Sequence, residues 1–220
     1  MTMKEEFPIL AIETSDELCS AAIMLSEESY AEINFQKKFI HSEKLMPMIS
    51  DLLKTADLKL EDVKALAVSM GPGSFTGLRI GLTIAKGLAV GSELPIIPVP
   101  TFDALALQLS STLPEGTKII IANNANINEI YFAKYKINKK RFEVLTEATL
   151  VEKKEVSSLR EDGDLIFGNF DVEKMGFKTS SPNASAVAKW AYIFGKDLVT
   201  FDHGLLEPNY LKNFVVKVKK

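Results

Sequence analysis

The sequence predicts an α/β fold of two lobes that meet near residue 100. Three observations predict it. The apolar pattern alternates between the strand period of about 2 and the helix period of about 3.6. Strands and helices follow the order βββ-α-β-α-β-α, and after Pro114 a second strand-rich block with its own helices opens. The 220 residues, 46% hydrophobic and 25% charged, suffice for one large domain or two small lobes with a real core.

Ile9–Ile12, Ser20–Leu25 and Ala31–Phe35 read as short strands, with tight turns at Thr14–Glu17 and Ser26–Ser29. From Ser42 to Ala56 the period changes: Leu45, Met48, Ile49, Leu52 and Leu53 recur at helical spacing, with Ser42 as the N-cap. Pro47 must then sit in the first turn or bend the helix. Ala65–Ser69 is a strand leading into the glycine-bearing stretch Met70–Gly91 and its helix; Pro95–Val99 is another strand and Phe102–Ser111 a further helix. In the second block Lys118–Ala122 is a continuous apolar strand. Ile130–Ile137 alternates, and Arg141–Leu150 pairs with it across the Asn138–Lys140 turn. Leu165–Phe167 is a brief strand before Gly168, and Asn183–Phe194 a helix capped by Asn183 and closed by Gly195. No internal repeat at solenoid spacing interrupts this order.

The global balance excludes several classes of function. A net charge of −3 offers nucleic acid no broad basic surface, and the basic tail Val215–Lys220 reads as a solvated end. Cys19 is the only cysteine, so no intrachain disulfide forms; it lies in a strand and reads as a small core hydrophobe. The first residues lack the apolar region of a signal peptide, and no run reaches the roughly 18–20 apolar residues that span a bilayer. The expectation is a cytoplasmic protein without a membrane partner.

The central stretch, MGPGSFTGLRIGLTIAKGLAVG, fits no ordinary nucleotide loop. Walker A needs GxxxxGK[ST], and the glycines at 71, 73 and 77 have neither that spacing nor the lysine. The GxGxxG fingerprint fails by one residue. The helix is apolar on almost every side, and Gly77, Gly81 and Ala85 form a small-residue stripe that lets another backbone come close. Interior glycines cost about 0.5–1 kcal/mol each relative to alanine, which calls for a packing reason. Burial within this chain and burial against a partner protein both supply one.

Residues 71–89, GPGSFTGLRIGLTIAKGLA, resemble the signature of the bacterial TsaB (YeaZ) family of tRNA threonylcarbamoyladenosine biosynthesis subunits. The segments Ile9–Ile23, His41–Ile49, Glu93–Ala106 and Glu207–Asn213 fit the same family in order, so the resemblance runs nearly end to end. It implies an actin-like ATPase (ribonuclease H-like) fold with two related lobes of mixed sheets flanked by helices. The N-terminal lobe is expected at residues 1–100, rejoined by 206–220, and the C-terminal lobe at 101–205. It further implies a non-catalytic scaffold that binds the catalytic paralogue TsaD and, through the complex, the small ATPase subunit TsaE. That assembly adds threonylcarbamoyl to the adenosine beside the anticodon of tRNAs reading A-starting codons, so tRNA is an indirect partner. The helices around Leu45–Leu53 and Ser74–Val90 match the family's dimer interface. The expected partner-binding residues are therefore Leu45, Met48, Ile49 and Leu52 on the first helix. On the second they are Ser74, Phe75, Gly77, Leu78, Gly81, Leu82 and Ala85. A leucine at Gly81 is expected to prop the paired helices apart, and the same surface to allow a weak homodimer when the partner is absent.

Catalytic equipment looks depleted. The paralogue carries two histidines four apart as metal ligands; here His41 is followed four residues on by Leu45, and His203 is the only other histidine. Actin-like phosphotransferases hold triphosphate between two hairpin turns. Glu13–Thr14–Ser15 occupies the first turn without its usual glycine. Asn123–Asn126 occupies the second, with Asn124 and Asn126 where the family has an acid and an arginine, and Asn128 replaces a glycine. Thr14, Ser15 and Asn124 are thus the candidate vestigial nucleotide site. No cofactor or metal is required; weak ATP or ADP binding in the complex stays open. A glycoprotease-type metallopeptidase and a small-molecule kinase are the alternatives the fold allows.

Overall fold

The computed structural model describes residues 7–170 and 176–211. Its first sheet takes strands β1 (Ile9–Glu13), β2 (Leu18–Met24), β3 (Tyr30–Gln36), β4 (Ala65–Ser69) and β5 (Ile96–Val99), in the order β3-β2-β1-β4-β5. The first three form an antiparallel meander, with Ile12 opposite Ala21 and Ala21 opposite Ile33. β4 joins β1 in parallel and β5 joins β4 in parallel. Those parallel steps require crossovers, supplied by the helices α1 (His41–Thr55) and α2 (Phe75–Ser92).

The second sheet repeats the plan. β6 (Lys118–Asn124), β7 (Glu129–Asn138) and β8 (Arg141–Glu152) form a meander, and β9 (Leu165–Phe167) adds in parallel beside β6, giving β8-β7-β6-β9. The β7–β8 hairpin turns where the sequence predicts it, with Lys139 and Lys140 both at positive φ. Its register shifts between Phe132 and Tyr135, bulges that bend the long outer strand. The remaining helices are α3 (Thr101–Ser110), α4 (Val156–Leu159) and α5 (Ala184–Phe194).

Strand alternation decides the layers. Leu10 and Ile12 of β1, with Ile23, Leu66 and Val68, meet Leu45, Ile49 and Leu52 of α1 and Leu82, Ala85 and Ala89 of α2. The opposite face presents Ala11, Ala22, Ala65 and Ala67, and onto it pack Ala184, Val187, Ala188 and Ala191 of α5 and Ala104 of α3. Alanine on both surfaces brings that helix close to the sheet. α3 turns its other side, Phe102, Leu105, Ala106 and Leu109, to Ile119, Ile121, Ala133 and Tyr135 of the second sheet.

The two cores share elements across residue 100. Residues 184–194 fall within the span expected for the second lobe yet cover the first sheet, and α3 contributes to both cores. In the returning segment Leu206 packs on the first core and the Asn209 amide donates to the Met70 carbonyl at 2.6 Å. Residues 212–220, the basic tail included, lie outside the described residues.

The caps also differ from expectation. α1 is capped by Ile40 without a side-chain bond, so Ser42 lies inside the helix and Pro47 falls in its second turn. Asn183 does stand at the N-cap of α5, but its side chain does not close the first turn. That turn is satisfied from elsewhere. Glu32 on β3 accepts from the Ser185 amide at 2.7 Å and from Asn183 Nδ2 at 3.0 Å. Ser20 Oγ takes the Ala184 amide and Gln108 Oε1 the Asn183 amide, each at 2.8 Å. A carboxylate at a helix N-terminus also complements the helix dipole. Glu32→Ala is expected to cost about 1–2 kcal/mol, the usual worth of a lost cap. Urea denaturation should show a lowered midpoint with an unchanged slope.

Candidate functional site

The loop after β4 is pinned on several sides. Gly71 exchanges hydrogen bonds with Thr101, its amide to Oγ1 and its carbonyl from the Thr101 amide, each at 2.9 Å. Its φ of +105° is a conformation that suits glycine. Ser74 then caps α2, its Oγ accepting from the Gly77 amide at 3.2 Å.

The turn that follows β1 lies directly under this helix start. The Ser74 amide donates to the Ser15 carbonyl at 2.6 Å, and Thr14 Oγ1 donates to the Gly77 carbonyl at 2.8 Å. A Cβ on Gly77 would overlap the Thr14 carbonyl oxygen, and one on Gly81 the Thr14 hydroxyl. The small-residue stripe thus exists to seat α2 on its own chain.

Most of the expected partner-binding residues are taken up by contacts within the chain. Leu45, Met48, Ile49 and Leu52 of α1 are buried, as are Gly77, Leu78, Gly81, Leu82 and Ala85 of α2, all inside this chain. Of the expected residues only Ser74 and Phe75 are exposed. The surface that α1 and α2 present outward is different: Ser42, Met46 and Ser50 on α1, and Thr76, Thr83, Gly87, Val90 and Gly91 on α2, with Ile80 and Ile84 half-buried between. Among the described residues, nothing lies within 4 Å of where a Cβ on Gly87 or Gly91 would stand. A signal for this was present. Apolar residues at 45, 48, 49 and 52 are what a helix lying on a sheet shows, and Gly87 and Gly91 repeat the spacing of four elsewhere on the cylinder. At the outer end of α2, Arg79 stacks 3.9 Å above the Phe75 ring and donates from Nε to Tyr210 Oη at 2.9 Å.

Thr14, Ser15 and Asn124 each have partners of their own. Thr14 and Ser15 are buried against the start of α2, and the Thr14 hydroxyl is engaged there. Asn124 is exposed on the other side of the turn and bonds Asn169, its amide donating to Oδ1 at 2.7 Å and Nδ2 to the carbonyl at 2.9 Å. Asn126 makes a local turn, its Oδ1 accepting from the Asn128 and Glu129 amides. Both histidines face backbone carbonyls, His41 Nε2 that of Leu18 at 3.2 Å and His203 Nε2 that of Leu94 at 2.9 Å. Among the described residues no group of three or more His, Cys, Asp or Glu side chains could hold a metal ion. Among them, too, no helix is long and apolar enough to cross a membrane.

Sequence reasoning missed Glu13 as the electrostatic centre of this region. Its carboxyl is fully buried at the end of β1, accepting from the Ser15 amide and the Ser69 hydroxyl. Burial pushes its pKa from 4.5 up to about 7, against the opposing pull of the Ser15 and Ser69 hydrogen bonds; the Asp16 charge adds slightly to the rise.

Comparison with known proteins now bears on this geometry. The model of the TsaD family, tRNA N6-adenosine threonylcarbamoyltransferase, matches residues 36–202. The Haemophilus influenzae protein named tRNA threonylcarbamoyladenosine biosynthesis protein TsaB is 31% identical, with 96% of each chain covered. The chain belongs to the TsaB family. An Escherichia coli relative of the same name is 41% identical over 58% of this chain and 54% of its own. A solved Pseudomonas aeruginosa protein, described as similar to the peptidase YEAZ, superposes with a TM-score of 0.80 at 25% identity, covering 93% of this chain and 99% of its own. A second structure, YeaZ from the same organism, gives 0.77 at 23% identity. These neighbours place this TsaB-family chain in the actin-like, ribonuclease H-like fold.

Two outcomes follow from the buried contacts. Gly81→Leu should unfold or strongly destabilise the isolated chain, because its side chain meets Thr14, whereas Gly87→Leu should leave the melting curve close to wild type. Calorimetry of both variants decides it. Glu13 holds its proton in the folded state between about 4.5 and about 7, where the unfolded chain has lost it. Its contribution to stability is therefore fully present below about 4.5 and declines as pH rises to about 7, a span worth on the order of 3 kcal/mol. Glu13→Gln, which resembles the protonated form, should flatten that decline in denaturation curves collected from pH 5 to pH 8.

Proposed function

We propose that this chain is the non-catalytic subunit of a tRNA threonylcarbamoyladenosine-forming assembly, and that it docks a TsaD-type paralogue through the outward face of α1 and α2. The observation that carries the reading is the open strip around Gly87 and Gly91. Two glycines in a long buried-core helix, with none of the described residues above either of them, lower helix propensity without a return among the described contacts. Against a second helix they allow close backbone approach. Thr83, Ile84 and Val90 supply contact area beside them, and Met46 extends it onto α1.

The matches support a TsaD-type partner. A TsaD family model fits this chain across residues 36–202, so the transferase shares the region that contains α1 and α2 and can offer a matching helix pair. The relatives' names tie them to tRNA threonylcarbamoyladenosine biosynthesis. The inward engagement of Thr14 and Ser15 supports a scaffold rather than a phosphotransferase role. In this reading tRNA and the small ATPase TsaE meet the chain through the complex, nucleotide binds weakly if at all without it, and the same strip supports a weak homodimer in the partner's absence.

Gly87→Arg and Thr83→Arg should each abolish co-purification with a TsaD-type paralogue while circular dichroism stays native. They should also abolish tRNA modification in an assay reconstituted from this chain, the paralogue, the ATPase and threonylcarbamoyl-adenylate. Undiminished association of both variants overturns the assigned face. Modification that proceeds equally well without this chain overturns the subunit role.

A further inference from the structure

We infer that the turn at Thr14–Glu17 is a mechanical relay that couples the start of α2 to the cleft between the two sheets, with the Asp16–Asn169 hydrogen bond as its latch. Asp16 and Glu17 are the common wall of two cavities. On one side is a space of about 380 Å³ beside the starts of α1 and α2, bounded also by His41, Ser74, Thr76 and Ile80. On the other is the inter-sheet cleft of about 340 Å³, bounded by Gly168, Asn169, Lys178 and Ser180. Displacing the turn enlarges one space at the expense of the other.

Each side of the wall is tied to it without slack. Toward α2 the connections are the Ser74 amide to the Ser15 carbonyl and Thr14 Oγ1 to the Gly77 carbonyl. Gly73 and Gly77 allow the turn no gap, since a Cβ on Gly73 would stand 2.5 Å from the Ser15 carbonyl oxygen. Toward the second sheet Asn169 Nδ2 donates to Asp16 Oδ2 at 3.0 Å. Asn169 is itself held rigidly: its amide donates to Asn123 Oδ1 at 3.0 Å, and its side-chain oxygen receives the Asn124 amide at 2.7 Å. Asn123 continues the path, donating from Nδ2 to the Ser180 carbonyl at 2.6 Å. Glu17 braces the turn from the third direction through its ion pair with Lys38 at 3.0 Å. Two sets of hydrogen bonds, joined by the covalent Ser15–Asp16 link, therefore connect α2 to the mouth of the second sheet, and force applied at either end reaches the other through Asp16. Coupling of this kind is reciprocal.

Amide hydrogen exchange on the isolated chain tests the relay directly. Asn169→Ala lies in the second sheet's loop, yet it should speed exchange at the Ser74 and Gly77 amides by about threefold or more, the signature of a shared local opening. Asp16→Ala should do the same at the Asn124 and Phe170 amides. Changes confined to the mutated side in both variants overturn the relay. A second measurement, affinity for a TsaD-type paralogue, rests on the docking reading above: Asn169→Ala, outside the docking face, should weaken association severalfold, and unchanged affinity overturns the coupling to that face. If the unmodified chain does not associate at all, the docking reading fails, and the exchange experiment still decides the relay.

Discussion

The seating of α2 on the turn that follows β1 is the constraint on which the rest of the structure depends. A helix start rests on a strand end with carbonyl, hydroxyl and amide groups in direct contact, and glycine is what makes the distance possible. Once α2 is placed there, its apolar side must cover β1 and β4, and α1 is packed beside it on the same face of the sheet. The loop between β4 and α2 is held from β5, α3 and the returning Asn209 as well, so four parts of the chain converge on it. Beneath them all lies Glu13, a buried carboxyl that ties the turn to the end of β4.

The second organising feature is the alanine surface on the other side of the first sheet. Ala11, Ala22, Ala65 and Ala67 admit α5 closely, and residues of β2, β3 and α3 cap that helix. The lobes are consequently not independent bodies joined at residue 100. They share α3, and the chain crosses back to complete the first lobe's core before its end. An actin-like fold is often drawn as two halves around a cleft; here the halves are welded behind the cleft and linked across its mouth by the hydrogen bond of Asp16 with Asn169.

Most elements were legible in the sequence because their signals are local. The apolar strand Ile9–Ile12, the helical run from Leu45 to Leu53 and the Asn138–Lys140 turn each occupy a few consecutive residues and appear where expected. The candidate site was less legible. Asn183 has the chemistry of a cap and the position of one, but the bonds that cap α5 come from Glu32, more than 150 residues earlier in the chain. Thr14, Ser15 and Asn124 occupy two turns that a ligand could bridge, yet the Thr14 hydroxyl bonds the Gly77 carbonyl and the Asn124 side chain bonds Asn169. Such outcomes depend on which groups meet across long sequence separations, and periodicity carries none of that.

By itself the sequence determined the family, the order of strands and helices, and the need of α2 for cover on nearly every side. Only the tertiary structure decided which side of α2 meets its own chain. An almost uniformly apolar helix has no strong moment to orient it, and glycines stand at 77 and 81 as well as at 87 and 91. As side chains they are identical. What separates them is the turn at Thr14 and Ser15, which fills the space over the first pair, while among the described residues nothing covers the second.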